Sequence, residues 1–162
     1  KYKSWALEVA RPCIESTRSA EALAIGIGYG GLGPGTGVGS LFYGLAKLAA
    51  LLKEEALLQP VMDLASLVDR SHVENNVVLD ALGGTAGFVL ALLTAYDQMP
   101  HQDLLDLAVL GGDTLVQRAI QRSGRSTWVT PGTSYAQAGF SHGAAGIGYA
   151  LLRLASITQI DG

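Results

Sequence analysis

Residues 139–155 read GFSHGAAGIGYALLRLA, an apolar helical run that opens on a histidine between a serine and a glycine. Its tail has two near copies earlier in the chain. GVGSLFYGLAKLA begins at Gly37, GTAGFVLALLTAY at Gly84 and GAAGIGYALLRLA at Gly143, with spacings of 47 and 59 residues. Each copy has a glycine, two further residues, a second small residue (Ser40, Gly87, Gly146) and then an apolar run. Spacing of this size is one helical hairpin plus its loops, so the chain reads as a tandem array of helix pairs. Neither earlier copy carries the histidine, which therefore serves something other than the repeat.

The segments between the copies have a different character. In EEALLQPVMDLASLVDR, Leu57, Val61, Leu64 and Leu67 or Val68 recur every three or four residues with charge on the opposite side, the mark of an amphipathic surface helix. HQDLLDLAVLGGDTLVQRAIQR places Leu104, Ala108, Gly111, Leu115 and Ala119 on one stripe, and Gly111–Gly112 offers a kink or a close approach by a neighbour. Helices apolar nearly all round thus alternate with helices apolar on one face. That pattern predicts an all-α protein whose tandem hairpins form part of an α/α toroid, an incomplete barrel of inner helices enclosed by outer ones. Residues 1–24 read as a helical lead-in, and residues 25–162 as about three hairpin repeats.

Composition narrows the function. The chain has 162 residues, 49% of them hydrophobic, enough for one domain with a sizeable core. With 15% charged residues and a net charge of -3, it shows no basic stripe for nucleic acid or an anionic membrane. Lys47 and Arg153 interrupt the apolar runs well short of the roughly 20 residues a spanning helix needs, so no membrane span is expected. The start, KYKSWALEVARPC, does not read as a signal peptide. Cys13 is the single cysteine; it excludes an internal disulfide and fits a cytoplasmic location. The loop GIGYGGLGPGTGVGS has glycine spacings like those of a dinucleotide fingerprint, but no β-branched strand precedes it and no acidic residue follows at the required distance. It reads instead as a tight loop delivering the first inner helix.

GFSHGAAGIGYALLRLA, NNVVLDALGGTAGFVLALLTAY and GVGSLFYGLAKLA together resemble the lanthionine synthetase C-like cyclase family, and the phrasing is most similar to the cyclase domain of class II lanthipeptide synthetases. The resemblance covers roughly residues 25–162. It implies a toroid of helical hairpins around a Zn²⁺ ion, which activates a precursor-peptide cysteine for addition to dehydroalanine or dehydrobutyrine. It also implies that the histidine of a GxxHGxxG segment and an aspartate ahead of an earlier GxxG segment line the centre, which maps them onto His142 and Asp80. The family's metal ligands are two cysteines and a histidine of later repeats, so zinc ligands are expected beyond Gly162, with none in this chain. Cys13 precedes the matched repeats and is not counted among them.

His142 suits the implied role, since an imidazole takes or returns a proton near neutral pH. Its alternative role is to cap a helix or pack between repeats, with Ser141 equally able to cap. Asp80, four residues before Gly84, is likewise either an ordinary helix-entry cap or the group that orients a histidine. His72 and His101 lie in polar segments without metal-ligand spacing. Tyr43 and Tyr149 share a repeat position and read as packing residues; Trp128 either covers a peptide entrance or lies under its own loop. Two other functions compete with the cyclase. One is a noncatalytic toroid that binds a peptide or glutathione-like thiol, and the other is a toroid glycosidase. The glycosidase needs a pair of carboxylates at inner-helix ends, where Asp80 stands alone. Open apolar edges on such an array further predict that the chain self-associates.

Overall fold

Each glycine-led run becomes a helix that packs beside the next copy, and this row of three organises the chain. The structure, a computed structural model, describes residues 1–159. In chain order the helices are α1 (Tyr2–Ser16), α2 (Ala20–Gly30), α3 (Gly39–Leu52), α4 (Gln59–Leu67), α5 (Arg70–Glu74), α6 (Thr85–Gln98), α7 (Gln102–Gln117) and α8 (Ala144–Thr158). A small antiparallel hairpin, β1 (Ile120–Arg122) and β2 (Arg125–Thr127), lies between α7 and α8. The expected all-α class holds.

The glycine-led helices α3, α6 and α8 stand side by side, with α6 between the other two. Behind them, α4 packs on α3 and α7, and α7 packs on α6 and α8. Because α6 has neighbours on both flanks and behind, Ala86, Phe88, Val89, Ala91, Leu92, Leu93 and Ala95 are all buried. This explains why its sequence is apolar on nearly every side. Only Leu90, Thr94, Tyr96, Asp97 and Gln98 keep appreciable exposure. The rings of Phe42 on α3 and Phe88 on α6 meet edge to face, with centroids 5.7 Å apart, and both residues are fully buried.

Local chemistry sets the helix ends. The Ser19 hydroxyl accepts the Ala22 N–H at the start of α2, and His101 accepts the Asp103 N–H at the start of α7. Asp69 and His72 form a reciprocal capping box on α5. Gln59 and Arg18 both donate to the Asp63 carboxylate, which ties the α1–α2 link to α4 and holds that carboxyl below its ordinary range, the Gln59 bond contributing most.

Two helices differ from their expected extents. The stripe Leu57, Val61, Leu64 and Val68 is buried as the periodicity required. However, Leu57 belongs to a separate 3₁₀ turn (Glu55–Leu57), and α4 starts only at Gln59. Pro60 has no N–H to donate and so belongs in a first helical turn. Likewise α7 stops at Gln117, and Ile120–Arg122 leaves it as a strand. The Ser123–Gly124 turn explains this: φ is positive at both residues, the geometry of a two-residue hairpin.

Helix α7 runs unbroken through Gly111–Gly112, and the pair serves a close approach. A Cβ at Gly111 would meet Val89 Cγ2 of α6 at 2.6 Å, and one at Gly112 would collide with Leu154 Cδ2 of α8. The two glycines let α7 lie close to both inner helices at once. We expect Phe88→Ala, which empties the contact between α3 and α6, to destabilise the fold by about 3–5 kcal/mol, measurable as a lower denaturant midpoint at unchanged m-value.

Candidate functional site

The loops leading into α3, α6 and α8 share one backbone pattern. In each, two N–H groups at the helix start bond back to carbonyls seven residues earlier: Val38 and Gly39 to Gly31 and Leu32, Thr85 and Ala86 to Val78 and Leu79, Ala144 and Ala145 to Gln137 and Ala138. These bonds align Gly37, Gly84 and Gly143 as one repeat position, as the sequence comparison did. They also align Gly35, Leu82 and Ser141. The loops bond to one another at that shared position: the Gly35 N–H donates to the Leu82 carbonyl (2.8 Å), and the Leu82 N–H donates to the Ser141 carbonyl (3.0 Å).

Side chains that the repeat does not share meet across this stacked edge. Asp80 stands four residues before its glycine and His142 one residue before its own, so each is unique to its copy. With the loops in register, His142 of the third loop reaches Asp80 of the second. Its Nδ1 lies 2.8 Å from Asp80 Oδ2. The other carboxylate oxygen, Oδ1, accepts the N–H groups of Leu82 (3.1 Å) and Gly83 (2.8 Å). The Asp80 side chain is 3% exposed and that of His142 48% exposed.

Both oxygens of Asp80 are engaged away from the α6 cap. The residue does not cap α6, whose N-cap is Gly84; it closes its own loop with one oxygen and holds the histidine with the other. A carboxylate only accepts, so Nδ1 is the protonated nitrogen in the neutral ring, and Nε2 is left with its lone pair. Gly35, Thr36, Asp80, Leu82, Thr130 and His142 line an open cleft of about 410 Å³.

The remaining candidates lie elsewhere. His72 and His101 cap their own helices. Cys13 lines a separate apolar groove between α1 and α3. Tyr43 and Tyr149, read as packing residues, are each about half exposed, at 46% and 47%. Tyr43 lies under the Lys47 ammonium and Tyr149 leans on Phe140. Trp128 is half-buried against the core, its indole N–H donating to the Leu115 carbonyl of α7 (2.8 Å). Thr130 was not singled out in the sequence, yet its hydroxyl donates to the His142 carbonyl (3.0 Å). The signal for it was the TPGT stretch at 130–133, a turn sequence with proline and glycine at its centre.

The family model for lanthionine synthetase C-like proteins matches residues 1–162, and the chain belongs to that family. No curated protein and no solved structure matches it significantly. Among the described residues, no helix is long and apolar enough to cross a membrane.

Removing the Asp80 carboxylate strands the Gly83 N–H and the imidazole together, while the Leu82 N–H keeps the Ser141 carbonyl. Asp80→Ala is expected to lower stability by about 1–3 kcal/mol, whereas Asp80→Asn, which keeps an oxygen for the Leu82 and Gly83 amides, loses less. Thermal melts of the two variants check the order.

Proposed function

We propose that the Asp80–His142 pair is the proton-handling element of a lanthionine-forming cyclase. One observation supports this most: a buried carboxylate holds one nitrogen of an imidazole whose ring stays half exposed at the edge of a cleft. In the reaction, the sulfur of a precursor-peptide cysteine bonds to the β-carbon of dehydroalanine or dehydrobutyrine, and the π-electron pair shifts to give an enolate. The thiol proton passes to His142 Nε2 and returns to the α-carbon, so nothing is gained or lost overall. Asp80 keeps Nδ1–H engaged and so fixes which nitrogen works.

Zinc is implied by the family resemblance, where it supplies thiolate activation. Among the described residues, no three His, Cys, Asp or Glu side chains are grouped to hold a metal ion. The residues here do not fit a zinc site, and the ligands in this reading come from later repeats. The side-by-side order of α3, α6 and α8 supports an α/α toroid. The GFSHGAAG phrasing supports a class II synthetase acting on a leader-core peptide, and the single cysteine suits a cytoplasmic location.

Replacing His142 with asparagine should slow ring closure by about 10²–10⁴-fold while any fused dehydration step continues. Mass spectrometry after alkylation of free thiols reads both steps. An unchanged rate and ring pattern would return His142 to a structural role. A wild-type protein that binds the peptide yet closes no ring would favour the noncatalytic toroid.

Self-association is part of the same reading. Val116, Tyr149 and Leu152 on α7 and α8 are exposed, and an apolar groove of about 440 Å³ runs between the two helices. Covering such a flank stabilises by roughly 25 cal/mol per Å². Light scattering at tens of micromolar should show a dimer or larger species, and a monodisperse 16.8 kDa monomer would refute it.

A further inference from the structure

The segment between β2 and α8 lies outside the repeat pattern, yet it reaches the histidine. Its near end is anchored by the Trp128 indole on the carbonyl of Leu115, in the last turn of α7. Val129 then bridges Ala136 in antiparallel fashion. Between them Thr130–Thr133 closes a turn: the Thr133 N–H donates to the Thr130 carbonyl (3.1 Å), and Gly132 takes a φ of +84°. The Thr133 hydroxyl donates to the same carbonyl at 2.8 Å. The turn presents the Thr130 side chain to the cleft and to the His142 carbonyl, which accepts its hydroxyl at 3.0 Å.

The two peptide units that flank the His142 Cα are thereby held by different parts of the chain. The Ser141 carbonyl takes the Leu82 N–H from the second repeat loop. The His142 carbonyl takes the Thr130 hydroxyl. With both tethered, the ring is placed by side-chain rotation alone, and Asp80 Oδ2 selects the rotation. We infer that Thr130 is a positioning residue for His142, acting through the backbone. Only the effect on ring closure rests on the cyclase reading; the effect on the imidazole does not.

The test compares Thr130→Val, which keeps the shape and loses the donor, with Thr130→Ser, which keeps the donor. The primary readout is the ¹⁵N spectrum of the His142 imidazole, identified by its loss in His142→Asn. The wild type should show the Nδ1-protonated tautomer, Thr130→Val a mixture of tautomers, and Thr130→Ser the wild-type pattern. In the intact synthetase, kcat for ring closure should fall about tenfold in Thr130→Val with KM for the peptide unchanged. An unaltered imidazole spectrum in Thr130→Val, or failure of Thr130→Ser to restore it, overturns the inference. If the spectrum responds while the wild type closes no ring, the positioning role stands and the cyclase reading falls. Should Thr130→Val fail to fold, Thr133→Val, which removes the hydroxyl bond to the Thr130 carbonyl and so loosens the turn while its backbone bond and the Thr130 hydroxyl remain, should give the same tautomer mixing to a smaller degree; no change there overturns the inference as well.

Discussion

The Leu82 peptide carries the register of the site. Its carbonyl accepts from Gly35 and its N–H donates to Ser141, the same position in the preceding and following repeat loops. Bonding like position to like position stacks the three loops without slippage. Once they are stacked, a residue four places before one glycine falls beside a residue one place before the next. That offset brings together Asp80 and His142, which are 62 residues apart in the chain. A one-residue slip would set His142 against another part of the neighbouring loop and leave a buried carboxylate facing nothing.

Such stacking demands that backbones touch, and the glycine content follows from it. At Gly33 a Cβ would run into the backbone of Gly83 and Gly84, so the first and second loops cannot close with any larger residue there. Behind the loops, Gly111 and Gly112 let α7 settle against α6 and α8 together. The apolar packing of α3, α6 and α8 brings the loops to the same level; the glycines let them meet. Neither suffices alone, because a loop bond formed without the packed helices below would be exchanged for one to water at little cost.

The division of labour between the two side chains follows from their burial. Asp80 is buried and fully engaged, one oxygen closing its own loop and the other holding an imidazole, so its charge is balanced by donors rather than by water. His142 stands at the rim with its second nitrogen turned from the carboxylate. Fixed on one side and open on the other, the ring meets the requirement that the proposed cyclase reading sets for proton transfer. Away from these loops, Arg153 of α8 reaches Asp97 in the last turn of α6 at 3.0 Å.

The helices, the threefold recurrence of the glycine-led runs and the singularity of His142 were all legible in the amino-acid sequence. They depend on periodicity and on local turn chemistry, which neighbouring residues specify among themselves. The breaks at Pro60 and at Ser123–Gly124 were also written locally, but there the apolar stripe outweighed the turn residues and the helices were read too long. From its own spacing Asp80 could be placed at a loop and no further, because a cap and an orienting carboxylate need the same residue at the same spacing; only the family resemblance set it at one centre with His142. Its bond to His142, the bond from Thr130 and the anchoring of Trp128 on Leu115 exist only in the folded chain. Each joins segments whose separation in space is set by how α3, α6, α7 and α8 pack, and that packing sums many side-chain contacts over the whole core, which no short stretch of sequence encodes.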